Sequence, residues 1–284
     1  MIPVLSIEES YSLDKISIES GHISEKKLMD NAGRSLAQFI MEYVSNPFNQ
    51  QYIIISGPGN NGADGIICHH YLLTYGANSK LLLLRDEMDS SRIFDEYSID
   101  SDSVDVYTDS YYFSDEIWYI DGIFGIGLER DIVGSYNRII QQICTFPRII
   151  SIDIPSGIYG NSGMPSSNFI QAELTLSMGY PKLGHYFNTG LESTGDLYIE
   201  DIGFKPLNKD QYHIQLIEFD DVSLCVPLHG ENTHKYSRGK LVSIAGSSLY
   251  TGASILAVNS AMTTGAGIIK VLVPESLRNI YKNY

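Results

Sequence analysis

The sequence predicts a doubly wound α/β fold, a Rossmann-like three-layer αβα sandwich, followed by a shorter and incomplete α/β segment. Short apolar runs bounded by turn residues alternate with stretches of helical periodicity, which is typical of a mostly parallel sheet covered on both faces. A polar stretch with a proline near residues 204–215 interrupts this pattern. We therefore expect one domain over residues 1–215 and a second over residues 216–284.

The elements follow from the spacing of apolar residues. Residues 7–21 and 24–44 carry them every three to four positions, which predicts two helices, the second with Ser24 as its N-cap. A further helix is predicted over residues 65–76, ending at Gly76. The predicted buried strands are residues 52–56, 80–85, 117–121, 148–155, 172–179 and 195–203. In the second segment, strands at 239–248 and 268–274 flank an apolar helix within 250–267.

Composition and charge exclude several classes of function. The 284 residues are 43% hydrophobic and carry 34 acidic against 19 basic side chains, a net charge of −15. This charge disfavours binding to nucleic acid or to anionic membranes. Cys68, Cys144 and Cys225 form no CxxC pair, which argues against a disulfide framework or a zinc site. With no targeting or membrane-spanning run, we expect a cytoplasmic protein that acts on a small molecule, either as a monomer or as a homo-oligomer.

A glycine-rich loop, GPGNNGAD at residues 57–64, follows the first predicted strand. It contains GxGxxG, which by itself is a weak indication of pyrophosphate binding at a helix N-terminus. An ionised Asp64 in the first turn of that helix would repel phosphate, and its simpler role is to complement the helix dipole. The adjacent Asn60 and Asn61 offer amide groups suited to sugar hydroxyls or a hard cation.

Polar side chains also follow three later strands. Asp121 ends one strand, Asp153 and Ser156 follow the next, and Lys182 follows a third. Each of these alone has a plain explanation as a cap, a turn residue or a surface charge. In a parallel sheet, however, all of these positions lie at the same edge, where ligands bind.

Several motifs together resemble the NAD(P)HX epimerases, the YjeF N-terminal family. GPGNNGADG is similar to that family's GxGNNGGDG loop, and DGIFGIGLERDIVG to its D-x-x-F-G-T-G-L-x-R-P loop. LMDNAGRSLA, SIDIPSGI, GYPKLGHY and GDLYIEDIGF extend the resemblance over nearly all of residues 1–204. Residues 234–276 look like the opening of the ATP- or ADP-dependent NAD(P)HX dehydratase domain, which has a ribokinase-like fold and follows the epimerase domain in bifunctional relatives.

The resemblance implies an isomerase of nicotinamide nucleotide repair. Its substrate is NADHX or NADPHX, reduced nicotinamide nucleotide with a hydroxyl at C6, and the enzyme interconverts the R and S forms. The resemblance also implies a bound K⁺ held by Asn61, Asp121 and Ser156. The implied substrate contacts are Asn60, Asn61, Gly62, Ala63, Asp64, Gly125, Ile126, Gly127, Leu128, Glu129, Arg130, Asp131 and Asp153.

The chemistry needs a group that exchanges a proton with the C6 oxygen, whether the oxygen leaves and returns or the ring opens. Asp153 is the candidate, because it is a carboxylate at a rigid strand end. Lys182 is a second candidate, for orienting the substrate or stabilising negative charge. Dehydratase activity is expected only in a full-length bifunctional chain.

Three residues depart from the family pattern. Ala63 replaces a glycine, Ile126 a threonine and Asp131 a proline. Ala63 would be strained if its backbone needed a positive φ. Ile126 removes a hydroxyl and Asp131 adds a negative charge, so both are expected to weaken affinity for a dinucleotide.

Two other classes of function remain open at this point. A dinucleotide-dependent oxidoreductase would use GxGxxG with Asp86 or Glu87 as the ribose ligand, and hydride transfer would reveal it. A binding scaffold without activity would bind the dinucleotide without turnover.

Overall fold

A computed structural model describes residues 1–84, 91–208, 212–226 and 232–282 of the chain. These residues form two compact units, Met1–Glu218 and Phe219–Tyr284. Asp86 and Glu87, the ribose ligands of the oxidoreductase hypothesis, lie outside the described residues.

The first unit contains a parallel sheet with helices on both faces. The strands of this unit are β1 (Ile2–Pro3), β2 (Gln51–Ser56), β3 (Asn78–Leu83), β4 (Val104–Val106), β5 (Trp118–Gly122), β6 (Ile149–Ile152), β7 (Leu174–Met178), β8 (Asp196–Glu200) and β9 (Gln215–Leu216). Strands β2 to β8 form the parallel sheet, and β1 and β9 form a separate pair. The helices of this unit are α1 (Ile7–Glu19), α2 (Glu25–Tyr43), α3 (Asn60–Thr74), α4 (Ser91–Tyr97), α5 (Gly134–Ile143) and α6 (Asn188–Ser193).

The sheet is doubly wound, as the sequence predicts. Within the described ranges it has seven strands in the order β4-β3-β2-β5-β6-β7-β8, and all neighbours are parallel. The chain runs outward from β2 to β4 and then returns to place β5 on the other side of β2. The strand order therefore reverses between β2 and β5, and this switch point is where such sheets bind ligands.

The core lies on both faces of the sheet. Tyr52 and Ile54 of β2 pack in one cluster with buried side chains of α2 and α3. Ile53 and Ile55 point to the opposite face and join a second cluster with those of α5. Because successive residues of a strand face opposite sides, a continuous apolar run is what a strand buried on both faces requires. The three-layer arrangement is thereby confirmed.

Helix α3 begins earlier than the sequence predicts. It starts at Asn60, directly after its N-cap Gly59, so Asn60 and Asn61 lie in the first turn and Asp64 beyond it. The expectation that Asp64 occupies the first turn is therefore wrong. Ala63 is buried in the helix and is not among the described non-glycine residues with positive φ, so the condition for backbone strain is not met.

The N-terminal segment is tied to the far end of the first unit. The amide of Leu5 donates to the carbonyl of Pro181 at 2.8 Å, and the amide of Leu183 donates to the carbonyl of Leu5 at 3.0 Å. Antiparallel pairing of β1 with β9 adds a second connection, with Ile2 opposite Leu216. The stretch predicted as a linker thus ends in a strand of the first unit, and the division between the units falls after Glu218.

The second unit contains α7 (Phe219–Cys225), β10 (Lys240–Ile244), α8 (Gly252–Thr263), β11 (Ile268–Leu272) and α9 (Arg278–Tyr281). Strands β10 and β11 are parallel neighbours, as the strand, helix, strand pattern predicts. Many apolar side chains here are exposed, among them Ile244, Leu256 and Met262. In neither unit does a described helix combine the length and hydropathy needed to cross a membrane.

Candidate functional site

A cavity of about 680 Å³ opens at the switch point of the sheet. Its walls come from α1, the first part of α2, the loop after β2, the loop after β5 and the segments that follow β6, β7 and β8. This volume is in the range of small-molecule sites. The cavity therefore lies where the topology predicts a ligand.

Glycines allow the loop after β2 to pack tightly beside the cavity. A Cβ atom at Gly57 would lie 1.9 Å from the carbonyl oxygen of Ile123, and one at Gly62 would lie 2.0 Å from the carbonyl oxygen of Gly57. Both neighbours are backbone atoms that cannot turn aside. Glycine is thus required at both positions, and the resulting close packing brings the N-terminus of α3 to the cavity.

Asp121 and Ser156 form a buried polar cluster next to this loop. The Asp121 carboxylate accepts hydrogen bonds from the Ser151 hydroxyl at 2.9 Å, the Ser156 amide at 2.8 Å, the Ser156 hydroxyl at 2.5 Å and the Ile123 amide at 3.3 Å. The Ser156 hydroxyl also accepts from the amide of Phe124 at 2.9 Å. Burial raises the pKa of Asp121, and the hydrogen bonds from Ser156 and Ser151 oppose this rise.

Asn61 lies against the same loop. A Cβ atom at Gly125, next to Phe124, would come within 3.0 Å of the Asn61 amide carbon. The Asn61 side-chain nitrogen is buried and has no hydrogen-bond partner within the described part of the chain. The structure thus brings Asn61, Asp121 and Ser156 to the same loop, with an unsatisfied amide group among them.

This set of groups fits a hard monovalent cation. Carboxylate, hydroxyl and amide oxygens are its preferred ligands, and which end of an amide carries the oxygen follows from the network around it. Among the described residues, no group of three or more histidine, cysteine or acidic side chains is arranged to hold a metal ion. The K⁺ site remains a prediction, and the side-chain oxygens of Asn61, Asp121 and Ser156 are suitable ligands for it.

Asp153 and Lys182 form an ion pair at the cavity wall. The Lys182 ammonium contacts Asp153 Oδ1 and also donates to the Ser177 hydroxyl at 3.1 Å and the Met178 carbonyl at 3.0 Å. The amide of Met178 donates to the same Asp153 oxygen at 3.0 Å. Both side chains line the cavity, and Lys182 is only 3% exposed. Since every described contact uses Oδ1, Oδ2 is the Asp153 oxygen available to a ligand.

The backbone of Asp153 is held in an uncommon conformation. Its φ is 66°, in the left-handed region that few non-glycine residues adopt. Two bonds fix it: its amide donates to the Leu176 carbonyl at 2.8 Å, and its carbonyl accepts from His185 Nε2 at 2.8 Å. Such strain is concentrated at functional sites, where the surrounding structure maintains it.

His185 connects the two members of the ion pair through their backbones. Its Nδ1 accepts from the amide of Lys182 at 3.1 Å while its Nε2 donates to Asp153. Burial and the neighbouring Lys182 lower the pKa of His185 to about 4, so the ring is neutral at physiological pH, as this tautomer requires. Sequence reasoning missed this role, although His185 lies inside the GYPKLGHY motif.

Asp14, Glu25 and Asp64 also line the cavity, and burial changes the pKa of two of them. Burial raises the pKa of Asp64 well above its ordinary value, with Asp153 and Asp14 adding to the rise. Burial also raises the pKa of Asp14 to about 6, with a contribution from Asp153 and an opposing one from Lys182. Asp64 was a candidate from sequence, whereas nothing local to α1 distinguishes Asp14 as a site residue.

The remaining predicted substrate contacts divide into two groups. Asn60, Gly125, Ile126 and Gly127 line the cavity. The others do not: Gly62 and Ala63 are buried in α3, Leu128 packs against the second core cluster, and Glu129, Arg130 and Asp131 are exposed. The carboxylate of Asp131 accepts from the Tyr159 hydroxyl at 3.0 Å, which anchors the loop. Contact between this second group and a substrate remains a prediction.

Comparisons with known proteins relate this site to a described family. The family profile "YjeF-related protein N-terminus" matches residues 25–184. The bifunctional NAD(P)H-hydrate repair enzyme Nnr of Dictyoglomus turgidum is 32% identical over 269 residues, which are 90% of this chain and 52% of that protein. That of Thermofilum pendens is 29% identical over 96% of this chain and 54% of its own length.

A shorter relative and a solved structure each match about three quarters of this chain. The NAD(P)H-hydrate epimerase of Lentilactobacillus buchneri is 30% identical over 211 residues, which are 72% of this chain and 95% of that protein. The crystal structure of the yeast protein YNL200c covers 76% of this chain with a TM-score of 0.61 at 21% identity, which shows a shared fold. The chain spans about half the length of the bifunctional relatives that it matches.

Proposed function

The chain belongs to the family of YjeF-related protein N-termini, and on that premise we propose that it is an NAD(P)H-hydrate epimerase. It interconverts the R and S forms of hydrated NADH and NADPH in nicotinamide nucleotide repair. The observation that carries the proposal is the Asp153 carboxylate, which Lys182 holds by one oxygen while the other is available to a ligand in the switch-point cavity.

The cavity offers complementary groups to the two ends of such a substrate. The first turn of α3, with Asn60 and Asn61, presents backbone amides to a pyrophosphate. We propose that Asn61, Asp121 and Ser156 hold K⁺ beside this loop; when bound, the ion supplies positive charge that balances the acids near the phosphates. The nicotinamide end lies toward Asp153 and Lys182.

The reaction requires proton exchange at the C6 oxygen. This carbon is bonded to the ring nitrogen, whose lone pair assists departure of the oxygen once a proton has been added to it. Oxygen loss and ring opening both need a group that gives and takes this proton, and Asp153 suits either path. Lys182 orients the carboxylate through the contact at Oδ1.

We propose no dehydratase activity for residues 219–284 by themselves. The described part of this segment holds, besides the short helices α7 and α9, one parallel strand pair with a crossover helix, and apolar side chains of β10, α8 and β11 are exposed. The dehydration step of the bifunctional relatives belongs, in this proposal, to a longer polypeptide. The oxidoreductase alternative gains no support from the comparisons.

The direct test is to incubate the chain with R-NADPHX and follow formation of the S form. We expect Asp153→Asn to reduce the rate at least about 100-fold, because the amide cannot exchange a proton. Asp196→Asn is the matched control, since it makes the same change at the exposed, opposite end of β8. Binding of R-NADPHX without conversion would instead identify a scaffold, and hydride transfer an oxidoreductase.

A further inference from the structure

Helix α1 presents an acid, Asp14, to the cavity, and this residue lies outside the motifs quoted above. Ser10, Leu13 and Ser17 form the buried face of the helix. Asp14 lies at the edge of that face and lines the cavity together with Asp153 and Lys182. Among the described residues, no hydrogen bond or ion pair engages its carboxylate, so the group is available to a ligand.

The position of Asp14 is fixed relative to the ion pair. The residue before the N-cap of α1 is Leu5, whose amide and carbonyl bond to the residues on either side of Lys182. The N-cap Ser6 and Glu9 form a capping box, and the amide of Ile7 donates to the Asn161 side chain at 2.7 Å. At the other end, the amide of Lys205 donates to the Ser17 hydroxyl at 3.0 Å. A catalytic group needs such a rigid support.

We propose that Asp14 is a second catalytic acid and base of this cavity, which works with Asp153 on opposite faces of the substrate ring. The proposal rests on the epimerase function proposed above. The R and S forms carry their hydroxyl on opposite faces of C6, so one carboxyl group serves the departing oxygen and the other serves the returning one.

The step balances in atoms and charge. Protonated Asp14 gives its proton to the C6 hydroxyl, the C–O bond breaks with its electron pair going to oxygen, and water leaves. The lone pair of the ring nitrogen forms a C=N bond, which gives an iminium ion. Water then adds to C6 from the other face, the C=N pair returns to nitrogen, and Asp153 takes the proton lost by that water. The reverse reaction uses the two groups in the opposite roles.

The electrostatics support this division of roles. The other acids that line the cavity are Glu25, Asp64 and Asp153, its cations are Lys15 and Lys182, and its phenols are Tyr11 and Tyr180. Lys182 pairs with Asp153, which fixes the position of that carboxylate. Burial and the charge of Asp153 raise the pKa of Asp14 to about 6, which suits a group that must both give and take a proton.

The test compares R-to-S rates of the full chain and its variants across pH, with the enzyme-free rate subtracted. We expect Asp14→Asn to lower kcat about 100-fold or more while KM changes less than about threefold. In the unmodified chain the rate should fall as pH rises through about 6, since Asp14 loses its proton, and this fall should be absent from the remaining rate of Asp14→Asn. Asp14→Glu should recover about tenfold, because it restores the acid.

Glu19→Gln is the matched control, with the same change on the same helix at a side chain 66% exposed and outside the cavity. It should stay within about twofold of the unmodified rate. An Asp14→Asn rate within about threefold of the unmodified chain overturns the role of Asp14 alone. An R-to-S rate of the unmodified chain that does not change between about pH 5 and 8 also overturns the role of Asp14, even if the variant fails to fold. An inactive unmodified chain overturns the epimerase function as well.

Discussion

Replacing Lys182 by methionine removes the ammonium group that contacts Asp153 while keeping most of the side chain's length. The Lys182 side chain is 3% exposed and that of Asp153 is 12% exposed, so little water reaches the position that the ammonium group leaves. Removing one member of a buried ion pair costs about 3–5 kcal/mol of folding free energy. We expect Lys182→Met to lose an amount in this range.

Asp153→Asn should also destabilise the fold, because it removes the negative charge beside the buried Lys182 ammonium and leaves it only neutral acceptors, such as the Ser177 hydroxyl and the Met178 carbonyl. The double variant removes both charges together and leaves neither uncompensated. The double variant should therefore lose less free energy of unfolding than the two single variants together, by about 2 kcal/mol or more. This difference is the coupling between the two residues.

The measurement is urea unfolding followed by tryptophan emission. The chain has one tryptophan, Trp118 of β5, which is 8% exposed in the first unit, so its emission reports on that unit. The midpoint and slope of each urea unfolding curve give the free energy of unfolding of the unmodified chain, the two single variants and the double variant, and these four values give the coupling energy. Lys26→Met is the control: its pair with Glu96 is exposed, and its loss should cost less than about 1 kcal/mol. Additivity of the two single changes within about 0.5 kcal/mol would refute a buried, mutually dependent pair.

Three further changes test other parts of the structure. Asp14→Asn should raise the free energy of unfolding at pH 7.5 by about 1 kcal/mol, because folding raises the Asp14 pKa from 3.8 to about 6 and ionisation in the folded state is costly. This gain should vanish below about pH 4, where the acid is protonated in both the folded and the unfolded state. Ser156→Ala should cost about 1–3 kcal/mol in urea unfolding and remove any dependence of activity on potassium, measured against sodium. Gly57→Ala should lower the stability by more than about 3 kcal/mol because its Cβ would meet the Ile123 carbonyl. Gly59→Ala has open space but changes the N-cap of α3, so it should cost less than about 1.5 kcal/mol.

Sequence periodicity predicts strands well where burial is continuous. The apolar runs of strands β2, β5, β6 and β7 end at glycine or at polar residues. Both the presence of these strands and the position of their carboxyl ends could therefore be predicted from the sequence. Strands β1 and β9 have two residues each, too few for any period to show. The start of α3 was also missed, because consecutive asparagines and a glycine are typical of loops, and close packing of Gly57 against Gly62 overrides that preference.

Sequence patterns are local, and this also explains which site residues were predicted. Asp121, Asp153, Ser156 and Lys182 lie at the carboxyl ends of strands or within four residues after them, and parallel strands bring these ends to the same edge of the sheet. Asp14 belongs to a helix whose docking depends on residues more than 150 positions away, such as Asn161 and Lys205. No local pattern encodes contacts of that kind.

The pairing of Leu5 with the backbone around Lys182 has a consequence for the order of events during synthesis. Residues at the start of the chain leave the ribosome first, yet their partners at positions 181–183 and 215–216 are made much later. Until then α1 has no surface to dock on, and contacts across so long a loop form late in folding. The nascent sheet can assemble from β2 to β8 while the wall carrying Asp14 is still absent, so the protein gains its ligand site only when its first residues return to the last strand of the unit.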